Sequence, residues 1–145
     1  MRDISHLNKY SFVLETQEQN LLHKISDNQK KQEHEKGKYD MLNGCLLETR
    51  SNLLAKAEVS IHAIAFAQYQ HFINQLEKAL KQQSDVLGNC KMIHDKHMVN
   101  YKEIKLKRMK LNELMDKITK DNNQIANRKE NQVNTEIFNR LTPKD

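Results

Sequence analysis

Turn-making residues are scarce in this chain. Its 145 residues include three glycines, Gly37, Gly44 and Gly88, and a single proline, Pro143. Multi-strand sheets and βα units then have nowhere to bend, which excludes those classes and leaves an all-α fold. The glycines are isolated, so no loop exists to cradle a phosphate. Tryptophan is absent and the apolar runs are short. None approaches the roughly 20 residues that a membrane crossing requires. The first residues, Met1-Arg2-Asp3-Ile4-Ser5-His6, lack the apolar stretch of a secretory signal. With only Cys45 and Cys90 there is no disulfide framework, and a reduced cytoplasmic setting is expected.

Charge is plentiful instead. Charged residues make up 30% of the chain against 37% hydrophobic, a balance that suits long paired helices better than a globular core. The length fits one domain. A net charge of +5 is mild for this length and restricts partners little.

Heptad spacing organises both halves. A first helix is expected from about 7 to 57, with Leu7, Leu14, Leu21, Asn28, Glu35, Leu42 and Thr49 at one seam position. Ser11, Glu18, Ile25, Gln32, Tyr39, Leu46 and Leu53 occupy the other. Polar members cluster at Asn28, Gln32 and Glu35, next to Gly37, so this stretch should be the loosest of the helix. The pattern slips between Lys56 and His62, which places a turn at about 58–63 with Ser60 as a candidate cap. A second helix is expected from about 64 to 135, followed by a frayed tail to 145. Its seam runs through Tyr69, Leu76, Gln83, Cys90, His97, Ile104, Leu111, Ile118 and Ile125. Ile73, Leu80, Leu87, His94, Tyr101, Arg108, Met115 and Asn122 interleave with them.

Folded back antiparallel, facing residues should have numbers adding to about 122. Leu53 then lies by Tyr69, Leu46 by Leu76 and Leu42 by Leu80. The same rule sets Asn28 by His94 and Gln32 by Cys90, so polar layers meet polar layers. The expected architecture is a two-helix antiparallel coiled-coil hairpin. Its rival is an unbroken helix in a parallel dimer, a cytoskeletal or scaffold coiled coil.

One stretch has more apolar surface than a helix pair needs. From Tyr69 to Leu80, Tyr69, Ile73, Leu76 and Leu80 make the seam. Phe72, Leu76, Ala79 and Gln83 make a second stripe, about 60° round the cylinder at ~100° per residue. The first stripe folds the chain and the second is available for binding. Covering the seam is its plainer use.

Chemistry finds little support. Cys90, His94 and His97 share a seam and are zinc-ligand types, but their spacing matches no common motif, so no metal is expected. No serine has an aligned base or a sheltering pocket, so the chain reads as non-enzymatic and without cofactor. The basic run Lys102-Glu103-Ile104-Lys105-Leu106-Lys107-Arg108-Met109-Lys110 suits an acidic protein surface better than nucleic acid. Arg108 sits in the seam, and no aromatic residue accompanies the run after Tyr101. A plain solvated face is the other reading of that run.

The string Tyr-Gln-x-Phe-Ile-x-x-Leu-Glu-Lys-Ala at 69–79, with Arg50-Ser51-Asn52-Leu53 upstream, resembles the flagellar export protein FliJ family. Arg50, Leu53, Tyr69, Ile73, Glu77 and Lys78 carry much of the likeness. The resemblance implies a hairpin similar to the stalk of rotary ATPases, acting in flagellar type III protein export and hence in motility and chemotaxis. It implies three partners: the hexameric export ATPase, the cytoplasmic part of the transmembrane export gate, and export chaperones. The protein would be cytoplasmic, and peripheral at the inner face of the inner membrane. Gate binding would fall on Phe72, Leu76, Ala79 and Gln83. Contact with the ATPase ring would fall near the chain ends, on Leu7, Leu14, Lys105, Arg108, Lys110 and Leu111. Gln83 departs from the histidine expected there, and Cys45 and Thr49 stand where aromatic residues would be typical.

Overall fold

The computed structural model describes residues 2–142; Pro143, expected to mark the end of the second helix, lies outside them. Two helices, α1 (Ser5–Val59) and α2 (Ala63–Leu141), pack antiparallel in an all-α helical hairpin, with no strand among the described residues. All fourteen α1 positions of the two heptad series are buried or half-buried. In α2 only Ile125, the last of its series, is exposed. The periodicity is therefore the burial pattern itself. Contacts gather in two units, Leu22–Val99 and the two chain ends, up to Leu21 and from Asn100.

In the Leu22–Val99 unit the core lies next to the turn. Leu46, Leu53, Ile73 and Leu76 are buried together, with Leu42, Cys45, Ile61, Tyr69 and Leu80 packed against them. Each such leucine or isoleucine contributes about 1.5–3 kcal/mol by leaving water. Ile61 explains how the chain reverses without glycine or proline: its side chain is held on this core. The Ser60 N–H donates to the Lys56 carbonyl at 3.0 Å and ends α1. The first bond of α2 comes from the Phe66 N–H to the carbonyl of His62 at 2.9 Å, so His62 opens the second helix, not Ser60. Lys56, in the last turn of α1, complements the negative end of that helix.

Farther from the turn the seam of this unit becomes polar. Gln32, Glu35, Tyr39, Leu42, Gln83 and Leu87 are only half-buried. The Gln83 amide donates to the Glu35 backbone carbonyl at 2.8 Å and to its carboxylate at 2.6 Å. The buried Asn28 amide donates to the Cys90 carbonyl at 3.0 Å. That acceptor lies one turn before His94, the residue expected opposite Asn28. A helical carbonyl points toward the next turn, so the Cys90 oxygen enters the layer that His94 occupies. The His94 Nδ1 is buried and finds no hydrogen-bond partner among the described residues.

The unit formed by the chain ends has its own buried set, Leu14, Leu21, Leu111 and Ile118. Among them the Glu18 carboxylate accepts from Arg108 Nε at 2.5 Å and Nη2 at 3.3 Å, a two-pronged pair inside the seam. Ser11 Oγ lies 3.2 Å from Asn112 Oδ1, and Asn122 exchanges two hydrogen bonds with the backbone of Arg2. Asp3 accepts from the Ser5 N–H at 2.9 Å and its hydroxyl at 3.1 Å, capping α1. These bonds hold the Asp3 carboxyl below its ordinary range. Beyond Ala126 every described residue is exposed, yet α2 stays helical to Leu141, past the point where a frayed tail was expected. No glycine or proline interrupts that stretch.

Two substitutions test this division between firm and loose seam. Leu46→Ala is expected to cost about 2–4 kcal/mol of stability in denaturant unfolding followed by circular dichroism. A Cβ added at Gly37 meets nothing within 4 Å, so Gly37→Ala is expected to add about 0.5–1 kcal/mol through helix propensity alone.

Candidate interaction surfaces

The segment 69–80 separates into residues that hold the hairpin and residues that face outward. Ile73 and Leu76 are buried in the core, 6% and 7% exposed, and Leu53 faces them. Tyr69 packs on the same core, with the Lys56 ammonium 2.6 Å from its hydroxyl and 4.9 Å from its ring centre. Arg50 and Glu77 form an ion pair across the two helices. Lys78 points to solvent. The residues that make this segment recognisable are therefore mostly interhelical contacts. Among the large apolar residues of the segment Phe72 is the exception: it lies next to Ile73 yet remains 44% exposed.

The structure divides the proposed second stripe. Phe72 is open, Ala79 is half-buried, Leu76 faces the core, and Gln83 is held by Glu35. The Gln83 amide and, to a lesser degree, the Lys38 ammonium at 3.5 Å hold the Glu35 carboxyl below its ordinary value. A groove of about 720 Å³ opens beside this layer, with Tyr39 and Leu87 among its walls and Glu33, Lys36, Asp40 and Lys91 at its edges. Cys45 is half-buried against the core and Thr49 bonds back to the Cys45 carbonyl at 2.7 Å, so neither offers a free side chain.

The residues suggested for an ATPase ring also divide. Leu14 and Leu111 are buried and Leu7 is half-buried. Arg108 is engaged by Glu18, whose hydrogen bonds raise its pKa further. Lys105 and Lys110 are exposed, the former 5.9 Å from the ring centre of Tyr101. Pairing of Glu18 with Arg108 was not anticipated. In the sequence each is a single charged residue in its own seam series, and the layer rule brings the two close. In α2 past the seam, Val133, Ile137, Phe138 and Leu141 are all at least half-exposed or nearly so, at 53%, 49%, 64% and 75%.

No helix among the described residues is long and apolar enough to cross a membrane. Among those residues no group of three or more His, Cys, Asp and Glu side chains could hold a metal ion. Cys90 is 2% exposed, and its carbonyl serves the seam through Asn28.

Residues 12–142 match the model of the family described as Flagellar FliJ protein. The chain belongs to the FliJ family. No curated protein and no solved structure matches it. Membership makes this a flagellar protein of the export system, in a family of non-catalytic components. Within the 69–79 string of this chain, the hairpin contacts and the exposed ring of Phe72 fall on neighbouring residues.

The depressed Glu35 carboxyl gives a signed pH effect. Its contribution is complete above its unfolded value near 4.5 and is lost as pH falls through the lower folded value. Acid titration of stability should therefore be less steep in Glu35→Gln than in the wild type across that window. Identical slopes would show that the Gln83 contact adds nothing.

Proposed function

We propose that this FliJ-family chain is a non-enzymatic, cofactor-free adaptor of flagellar type III export that binds two parts of the machine through two separate surfaces. The observation that carries this reading is Phe72. In a segment whose other large apolar residues serve the hairpin, an aromatic ring is left 44% exposed. An aromatic side chain on a rigid helix is a favourable anchor, because little conformational entropy is lost when it is buried. Phe72, with Ala79 beside it, docks on the cytoplasmic part of the transmembrane export gate. Leu76 and Gln83 act from behind, by fixing the helix that presents the ring.

The second surface lies in the unit formed by the chain ends. Lys105 and Lys110 are exposed there, and the unpaired end of α2 carries Val133, Ile137 and Phe138. Cations and apolar residues together suit a partner surface that is both acidic and apolar, a role this reading assigns to the interior of the hexameric export ATPase. Leu7, Leu14, Arg108 and Leu111 support this contact by holding the helices together. Export chaperones are further partners. The protein works at the cytoplasmic face of the inner membrane, held there by the apparatus, with no nucleic acid involved.

Titrating the protein into the export ATPase while following hexamer formation and ATP hydrolysis tests the second contact. Stimulation that Lys105→Glu/Lys110→Glu abolishes is the expected result. For the first contact, Phe72→Ala should leave helicity unchanged and weaken gate binding by about 2 kcal/mol or more. Equal binding by both proteins removes the assignment. Sedimentation of the free protein addresses the scaffold alternative, since a parallel dimer would have twice the mass of one chain.

A further inference from the structure

On α2 the apolar strip does not end at Ala79. Phe72, Ala79, Val86 and Ile93 recur every seven residues along one flank of the seam. Phe72 and Ile93 are 44% and 43% exposed, and Ala79 and Val86 are half-buried. Over this stretch the row adds a third apolar position to the heptads at 69–75 and 76–82, and in the next two it stands beside the polar seam residues Gln83 and His94. A helix that pairs with one partner needs two, and a helix that faces two neighbours needs three. Its opposite flank, Gln70, Glu77, Ser84 and Lys91, is polar.

The Arg50–Glu77 ion pair identifies which flank of α1 lies beside the strip. It ties the polar flank of α2 to the Arg50 side of α1. In an antiparallel pair like flanks face each other, so the remaining flanks meet on the other side. There α1 carries Lys24, Lys31 and Lys38, again seven apart and all exposed, and then Cys45, which packs on the Leu46 and Ile73 cluster. The strip is therefore edged by a ladder of ammonium groups. Glu35 holds Lys38 at 3.5 Å; Asp27 and Glu48 stand on the row of α1 next to these lysines and Glu33 and Asp40 on the row beyond, while the outer row of α2 carries Gln75, Gln82, Asn89 and Lys96.

We infer that the strip from Phe72 to Ile93, with Lys31 and Lys38, is the seat of a third helix: an acidic amphipathic helix of the partner that Phe72 engages. The inference rests on the gate-binding reading above and extends it. The apolar face of that helix lies on Phe72, Val86 and Ile93, over about 30 Å. Carboxylates along its edge meet the lysines. A second copy of this chain supplies no such complement, since the same face would bring lysine toward lysine.

Binding of the full-length protein to the purified cytoplasmic part of the export gate, measured at low and high salt, tests this. Ile93→Ala is expected to weaken binding about tenfold or more, and Lys31→Glu/Lys38→Glu to weaken it and flatten its salt dependence. Circular dichroism should stay as in the wild type because these side chains are exposed; since Lys38→Glu also removes the Lys38–Glu35 contact, Lys31→Glu alone, which leaves that contact in place, is expected to shift binding in the same direction without changing thermal unfolding. If Phe72→Ala weakens binding while Ile93→Ala and the lysine variant bind normally, the third-helix seat is overturned and gate docking at Phe72 stands. If Phe72→Ala and Ile93→Ala both bind normally, gate docking itself fails and the extension with it. A wild-type dimer in sedimentation that Ile93→Glu dissociates would make a second copy the occupant and overturn the proposal.

Discussion

Burial of leucine and isoleucine between α1 and α2 is the interaction on which the other features depend. Lone helices in water draw little stability from propensity, and an exposed helix rich in Lys, Asn and Gln draws less than most. Here the four-residue cluster of Leu46, Leu53, Ile73 and Leu76 brings the helices together beside a turn that has no turn-forming residue of its own. Ile61 joins that cluster from within the turn. The reversal is thus imposed by packing on either side of it, not by local backbone preference.

Packing also decides which residues are left for partners. A side chain buried in the seam cannot meet another protein without opening the hairpin, at a cost comparable to removing the side chain. Leu76, Leu14 and Leu111 are on the inside of this division, and Phe72, Lys105 and Lys110 on the outside. Gln83 is an intermediate case. Its amide is bonded to Glu35, so a partner would have to replace two hydrogen bonds to use it.

Heptad spacing made the helices, their pairing and the polar layers legible in the residues alone, because burial in a two-helix pair has one strong period and few competing contacts. Its limits follow from the same cause. Periodicity assigns a residue to a layer but not to a partner atom: Asn28 lies in the layer of His94, as the spacing sets it, and its amide takes the Cys90 carbonyl. Nor does spacing distinguish an interruption from a pair: Glu18 and Arg108 neutralise each other across the seam, which neither helix reveals alone. The stripe through Phe72 mixed a seam residue, Leu76, with a flank residue, because the two lie within one turn of each other. The turn itself was placed by a slip in pattern, and its opening residue, His62, has no compositional signature.

The polar seam positions acquire a purpose from this. An apolar seam of leucines tolerates sliding by a whole heptad, since leucine then meets leucine again. The pairs do not. Moving α2 by seven residues would bring Arg108 against Ser11 or Ile25 and leave Glu18 unpaired and 7% exposed, a severe penalty for a charge out of water. Within the other unit, the Gln83 amide reaches the Glu35 carboxylate at 2.6 Å and would lose it on the same shift. Register matters because the outer strip is composite: Phe72 and Ile93 come from α2 and the flanking lysines from α1. Polar layers that weaken each helix pair locally are what keep those two sets of side chains in line.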